Sequence, residues 1–246
     1  MLNGIYYVNM NLKLAFFDID GTLIWRKRND GIGLKSATFN YAINSVMRLD
    51  DVNYLDILGR KIFGLTDKAI LKATLLELGF NEDDYYKNED KLFRAADYYF
   101  ERELKSLTEF QYNPNPGARE FLEILRKQGV RLGLVTGNIE KHSIWKMRGV
   151  DFHDYFTTGA FGDDAEDRAE IMSIALKRNI DIPASSVCHF GDSPPDLIAA
   201  SHNGIRCVGL TKNGGGTHSR EELESVGYGL VVDSWNDLDR IEEYLE

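Results

Sequence analysis

Lys13-Leu14-Ala15-Phe16-Phe17-Asp18-Ile19-Asp20-Gly21-Thr22-Leu23 is the stretch whose reading decides the fold. The run Lys13–Phe17 is apolar after its first residue and shows no alternation, the pattern of a strand buried on both faces. It stops at an aspartate, and a second aspartate and a glycine follow at once. In an open parallel sheet, ligands bind beyond the carboxyl ends of the strands. Asp18 and Asp20 can therefore aim at one place from a tight turn, while Gly21 lets the backbone approach closely. A calcium EF-hand fits poorly. Counted from Asp18, the glycine stands at position four instead of six, and position twelve is Asn29 instead of glutamate.

Further strands are expected at Arg131–Val135, Val187–Phe190, Ile205–Leu210 and Leu230–Val232. Helical stripes lie between them. Ala118, Phe121, Leu122 and Leu125 follow the helical period and Gly129 supplies the stop; Ala169, Met172, Ala175 and Leu176 make a second stripe. Strands alternating with helices point to a parallel sheet covered on both faces. From about Asn29 to Tyr112 no strand pattern appears. Phe39, Ala42, Ile43, Val46 and Met47 form one helical face. Thr66 can cap a helix carrying Ile70, Leu71, Leu75 and Leu78 that ends at Gly79. Leu92 through Leu107 reads as an aromatic-rich amphipathic helix. A strand–helix–strand unit takes roughly 30 residues, whereas 118 positions separate Asp18 from Thr136. The surplus is an inserted helical domain, with Asn113-Pro114-Asn115-Pro116-Gly117 as its return hinge. The expected architecture is α/β, a Rossmann-like parallel sheet core (residues 1–24 and 113–246) with an all-helical cap domain (residues 25–112). Met10-Asn11-Leu12-Lys13 is a plausible start of the folded domain.

Three other strand ends carry matching chemistry. Val135-Thr136-Gly137-Asn138 offers a hydroxyl and a glycine N–H as donors to a phosphate oxygen. Phe190-Gly191-Asp192-Ser193-Pro194-Pro195-Asp196 offers two acids four apart. Arg168 opens a helix 24 positions before Asp192. Each signal alone has an ordinary reading, as a Thr-Gly turn, helix-start acids beside prolines or a solvated helix residue.

Together they resemble the haloacid dehalogenase-like hydrolase superfamily, specifically its helical-cap phosphatases of the phosphoglycolate phosphatase and β-phosphoglucomutase group. The resemblance covers essentially all of the chain after Met10. It implies Asp18 as nucleophile and metal ligand, and Asp20 as general acid–base whose backbone carbonyl binds the metal. It also implies Thr136, with Gly137, as holders of the phosphoryl group, Asp192 as a metal ligand and Asp196 as support. The family's third motif is usually lysine; here Arg168 is the best-placed cation, and its flat guanidinium holds phosphate in a different geometry. Lys141 and Lys146 are the alternatives for that role.

The implied chemistry suits these residue types. A carboxylate cannot approach an anionic phosphomonoester without charge neutralisation, which Mg²⁺ bound by hard oxygens supplies. Arg168, Thr136 and turn N–H groups stabilise equatorial charge. Covalent attack by Asp18 divides the barrier, and Asp20 protonates the departing oxygen. An acid at position 20 argues against a dehalogenase, since a halide leaves without a proton. In the cap, Lys68 within Gly64-Leu65-Thr66-Asp67-Lys68 and Trp25 beside Arg26, Lys27 and Arg28 are the substrate-facing candidates, against simple surface and packing readings.

Composition excludes other classes. Of 246 residues, 29 are Lys or Arg and 39 are Asp or Glu, a formal charge of −10; such a surface repels nucleic acid. No 18-residue apolar run and no secretory pattern is present, so neither a membrane span nor a signal is expected. Cys188 and Cys207 match no zinc or redox spacing and read as buried residues of a reducing, cytoplasmic compartment. Gly214-Gly215-Gly216 lacks the lysine of a phosphate loop and reads as a flexible surface loop. The expected function is a Mg-dependent phosphatase hydrolysing a small phosphorylated metabolite (phosphoglycolate, sugar phosphate or nucleotide) through an aspartyl phosphate. The alternatives are a phosphomutase and a non-catalytic regulatory protein on the same fold.

Overall fold

The apolar run before Asp18 forms strand β1 (Leu14–Phe17), all four side chains buried. The computed structural model describes residues 11–27, 33–62, 64–105 and 110–246. The first ten residues, Arg28, Asn29 and the end of the helix expected to reach Leu107 lie outside the described residues. After β1 come β2 (Ile24–Arg26) and four helices, α1 (Leu34–Met47), α2 (Tyr54–Leu58), α3 (Asp67–Glu77) and α4 (Glu82–Leu104). The chain continues through β3 (Tyr112–Pro114), α5 (Ala118–Lys127), β4 (Arg131–Val135), α6 (Glu140–Gly149), β5 (Thr158–Ala160) and α7 (Arg168–Arg178). It closes with β6 (Val187–Gly191), α8 (Pro194–His202), β7 (Arg206–Leu210), α9 (Arg220–Glu224), β8 (Leu230–Val232) and α10 (Leu238–Leu245).

Six strands pair in the order β5-β4-β1-β6-β7-β8, and every neighbouring pair is parallel. This is the Rossmann-like sheet the strand–helix alternation predicts. Phe17 is in register with Leu134 of β4 on one side and Phe190 of β6 on the other. The strand order reverses at β1, and the carboxyl end of such a strand is where open α/β sheets bind ligands. Register then brings Asp18, Thr136 and Asp192 out at one edge of the sheet. Both faces are covered. Leu14 and Phe16 share a buried cluster with Met172 and Ala175 of α7 and Leu197 of α8. On the other face Phe17 stacks on Phe190 at 4.8 Å, and Phe121 of α5 stacks on Trp235 at 5.5 Å.

Contacts divide the chain into two compact units, one within Met1–Arg26 and Tyr112–Glu246, the other within Lys27–Gln111. The second unit is helical among its described residues, and α1 to α4 enclose a core of their own that includes Phe39, Ile43, Leu71, Leu75, Tyr85 and Leu92. The Ala69 N–H donates to the Thr66 hydroxyl, which caps α3. Asn81 and Asp84 form a capping box, so α4 begins at Glu82, well ahead of the expected Leu92.

The sequence reading assigns Trp25, Arg26 and Tyr112 to the helical insert, but here they fall in the sheet-bearing unit. The cause is an antiparallel ribbon in which Trp25 pairs with Asn113 and Arg26 with Tyr112. The stretch expected to be an irregular return hinge is thus partly strand. Two three-residue strands, one containing a proline, carry too little pattern to be read. The edge strand β5 escapes for the same reason. Among the described residues no helix is long and apolar enough to cross a membrane.

Candidate active site at the carboxyl edge of the sheet

Asp18 leaves β1 with its N–H donating to the Phe190 carbonyl at 2.9 Å, which fixes the turn against β6. Its carboxyl is buried, and Oδ1 has no hydrogen-bond partner. Thr136, two residues beyond the β4 position paired with Phe17, is fully buried and its hydroxyl bonds the Asp18 carboxyl. Gly137 follows it, also buried. Arg168 opens α7, where Asp167 accepts the N–H groups of Ala169 and Glu170 as the cap. From there Nη1 of Arg168 lies 3.6 Å from Asp18 Oδ1 and donates to Asp196 Oδ1 at short range. The buried Nε–H of Arg168 has no acceptor. Of the three cations considered for the third motif, Arg168 is the one with an ion pair to Asp18.

Asp192 and Asp196 stand on the tip of β6 and the first turn of α8. Ser193 and Asp196 make a capping box, with Ser193 Oγ donating to Asp196 Oδ2 at 2.6 Å. His189 Nε2 lies 3.1 Å from Asp196 Oδ1, so this buried residue of β6 also supports the site. Thr22 Oγ1 donates to Asp192 Oδ1 at 3.2 Å, and the Thr217 N–H donates to Oδ2 at 2.7 Å. Thr217 Oγ1 donates to the same oxygen. Thr217 reaches Asp192 through the glycine run, and that run is packed where the sequence reading has it loose. A Cβ on Gly214, Gly215 or Gly216 would stand 2.5 Å or less from Leu210, Asn115 or the Leu210 carbonyl respectively. Asn115, in the return segment, donates from Nδ2 to the carbonyls of Gly21 and Thr22 at 2.7 and 3.0 Å.

Asp20 bonds a different set of side chains. Its Oδ2 accepts from Lys146 Nζ at 2.5 Å and from Asn138 Nδ2 at 2.9 Å. Trp25 lies on β2 and is 42% exposed. Lys68 is in the first turn of α3, with Nζ 3.2 Å from Glu89. Trp25 is not among the residues gathered around Asp18 in the sheet-bearing unit, and Lys68 belongs to the helical unit. Thr22 and Thr217 have no role in the sequence reading, and Lys146 enters it only as an alternative phosphate-binding cation. Only Lys146 leaves a signal there, as a lysine on the α6 face that buries His142, Ser143 and Met147.

The electrostatics are those of a donor set for a cation. Burial raises the Asp18 carboxyl above its ordinary value; Arg168 opposes this and the Asp196 charge adds to it. Asp192 is pushed up to about 8, first by burial and then by the charges of Asp18 and Asp196. Burial acts upward on Asp196 too, but Arg168 and His189 outweigh it and hold that carboxyl well below the usual range. One oxygen from each of Asp18, Asp192 and Asp196 falls within 4.8 Å of the others. Two carboxyl groups that resist ionising side by side, one with an orphaned oxygen, fit a hard divalent cation. Asp196 is a poorer ligand than its neighbours, because the Arg168 guanidinium already neutralises it at short range. Free Cys188 and Cys207 are buried, and burial pushes both thiols up.

A parallel sheet with an acidic cluster, a buried hydroxyl and an arginine at its switch point is a place suited to hold a cation and an oxyanion together. The chain belongs to the haloacid dehalogenase-like hydrolase family, which matches residues 15–210. It is 26% identical over 158 residues to a phosphorylated carbohydrates phosphatase of Thermotoga maritima, covering 63% of this chain and 68% of that protein. It is 26% identical over 232 residues to a phosphoglycolate phosphatase of Rhodospirillum rubrum, covering 92% of this chain and 89% of that one. The crystal structure of CbbY from Rhodobacter sphaeroides in complex with phosphate matches with a TM-score of 0.67 at 21% identity, over 92% and 96% of the two chains. That last likeness concerns the fold. Family and relatives together make the chain a hydrolase of the phosphatase kind.

Proposed function

We propose that this chain is a Mg²⁺-dependent phosphatase acting in the cytoplasm on a small phosphorylated metabolite, through an aspartyl phosphate on Asp18. The observation that carries the proposal is a complementary pair of buried orphans in one cluster. Asp18 Oδ1 lacks a donor, and Arg168 Nε–H lacks an acceptor. A cation at the first and a phosphoryl oxygen at the second would complete both.

Asp18, the Asp20 backbone carbonyl and Asp192 would hold the Mg²⁺, whose chemistry is to offset the charge of nucleophile and phosphate. Arg168, Thr136 and the Gly137 N–H bind the phosphoryl oxygens and keep phosphorus in line with Asp18. An Asp18 carboxylate oxygen bonds to phosphorus as the ester P–O bond breaks, and Asp20 gives its proton to the departing alkoxide. Asp20 then takes a proton from water. The resulting hydroxide attacks phosphorus, inorganic phosphate leaves, and the Asp18 carboxylate is restored. The names of the relatives favour sugar phosphates or phosphoglycolate as substrates. The helical unit is the proposed cap with Lys68 as its proposed substrate-facing residue, and Trp25 of β2 is the one proposed on the sheet-bearing unit.

The test is phosphate release from a panel of phosphorylated metabolites with and without Mg²⁺. Wild type is expected to require the metal, and Asp18→Asn to lose at least about 10³-fold in turnover. Equal rates for the two proteins end the proposal. Formation of an isomeric sugar phosphate without free phosphate would favour a mutase instead.

A further inference from the structure

Lys146 is 1% exposed, although α6 also carries exposed residues and a lysine stem can ordinarily carry its ammonium out to water. Burying an ammonium is unfavourable unless its donors are satisfied. Here they are. Nζ donates to Asp20 Oδ2 at 2.5 Å and to Asn138 Oδ1 at 3.0 Å, and it lies 5.1 Å from the centroid of the Tyr112 ring. The partner carboxylate is different: the Asp20 side chain is 40% exposed. The pair spans the border between the packed core and the opening at the sheet edge. Asn138 extends it, since Nδ2 donates both to Asp20 Oδ2 at 2.9 Å and to Thr136 Oγ1 at 2.8 Å. One continuous array therefore ties Asp20 to the hydroxyl that bonds Asp18.

We infer that Lys146 is the positioning residue of the general acid, and this inference rests on the phosphatase reading above. It holds Oδ2 of Asp20 against Asn138 and so presents Oδ1 to the leaving oxygen, at a separation from the phosphoryl group set by the Asn138–Thr136 link. Without Lys146, a partly exposed carboxylate on a two-torsion side chain is free to turn toward water, and only the step that needs its proton suffers.

That restriction makes the inference testable with two probes, phenyl phosphate and 2,4-dinitrophenyl phosphate, assayed with Mg²⁺. Dinitrophenolate departs without a proton, whereas phenolate needs one. The measured quantity is kcat/KM, which covers events up to leaving-group release and omits the later hydrolysis of the aspartyl phosphate. Lys146→Met is expected to lose about 10²-fold on phenyl phosphate, the lower end of what general acid catalysis contributes, and under about threefold on dinitrophenyl phosphate. Asp20→Asn should show the same selective loss, and the double variant no more than Asp20→Asn alone. Lys146→Gln serves as the second variant if Lys146→Met does not melt cooperatively. Equal loss on both probes would mean that Lys146 attracts the anion or supports the fold, and it overturns the inference. No loss on either probe, or additive losses in the double variant, does the same. If wild type turns over neither probe, or Asp18→Asn keeps its activity, the phosphatase reading fails first and takes this inference with it.

Discussion

Substituting Gly21 by alanine adds one carbon at the point where the turn after β1 meets Asp192. Gly21 has φ of +83°, and a Cβ built there stands 2.3 Å from Asp192 Oδ2 and 2.6 Å from its Cγ. Close carbon–oxygen contacts lie near 3.3 Å, so the carboxylate must retreat by about 1 Å. Two costs separate cleanly. The left-handed backbone disfavours alanine by about 1–2 kcal/mol, which for a chain of this size lowers Tm by about 2–8 °C. The displaced carboxylate is a different matter, because a shift of about 1 Å in a catalytic group can cost about 10²-fold in rate. Disturbing a ligand's surroundings weakens metal affinity by about 10–100-fold. Gly129 provides the control. It ends α5 with φ of +77°, and a Cβ there meets nothing within 4 Å. Gly129→Ala should therefore show the melting shift alone. Gly21→Ala should show that shift together with a fall in kcat/KM and a raised half-saturating Mg²⁺ concentration in a phosphate-release assay. Wild-type kinetics in Gly21→Ala, or an equal kinetic loss in Gly129→Ala, refutes the reasoning.

The raised Asp192 carboxyl gives a pH dependence with a definite sign. Between the ordinary carboxylate range and about 8, the metal-free folded state keeps a proton that the unfolded chain has lost, so stability falls as pH rises through that window. Mg²⁺ displaces that proton, and a fixed Mg²⁺ concentration should raise Tm more at about pH 8.5 than at about pH 6; an equal rise at both, read by thermal melting, counts against Asp192 as a ligand. Arg168→Ala should lower kcat/KM by about 10²–10³-fold, the worth of one preorganised oxyanion donor, and Arg168→Lys should recover part of that. Lys141→Ala should change it by less than about threefold, and a larger loss there than at Arg168 would move the phosphate-binding cation to α6.

The fold was legible wherever burial imposes a continuous apolar run. β1, β4, β6 and β7 lie inside the sheet, so every side chain of Leu14–Phe17 or Val187–Gly191 is covered and the run needs no alternation. Asp18, Thr136 and Asp192 were legible because each ends such a strand, and a parallel sheet sends all those ends to one edge. β2, β3 and β5 were not: each has three residues, and none is the uninterrupted aliphatic run that makes Leu230–Val232 readable at the other sheet edge. The glycine run shows a further limit. Sequence reveals that Gly214, Gly215 and Gly216 permit unusual backbone, but not that Leu210, Asn115 and Asp233 press on them from all sides. The same pressure delivers Thr217 to Asp192, a contact across 25 residues that no local pattern announces.

The buried carboxyls of the site sort by how much positive charge the protein supplies to each. Asp196 is completed several times over, by Arg168, His189 and Ser193, and it is the carboxyl held below its usual range. Asp18 and Asp192 share its burial yet are pushed the opposite way. Burial is therefore not what separates them; the supply of positive charge is. Arg168 serves Asp196 at short range and Asp18 only at 3.6 Å, so one guanidinium is shared among three acids. The deficit falls on the two carboxylates that face the sheet edge, and Arg168 retains an unspent Nε–H beside them. A fold that needed these groups only for stability would gain by replacing Asp18 with an apolar residue of similar size. Keeping a charge deficit and a free donor in one buried cluster makes physical sense where a cation and an oxyanion enter together, and under the proposed function this is the condition for Asp18 to reach phosphorus.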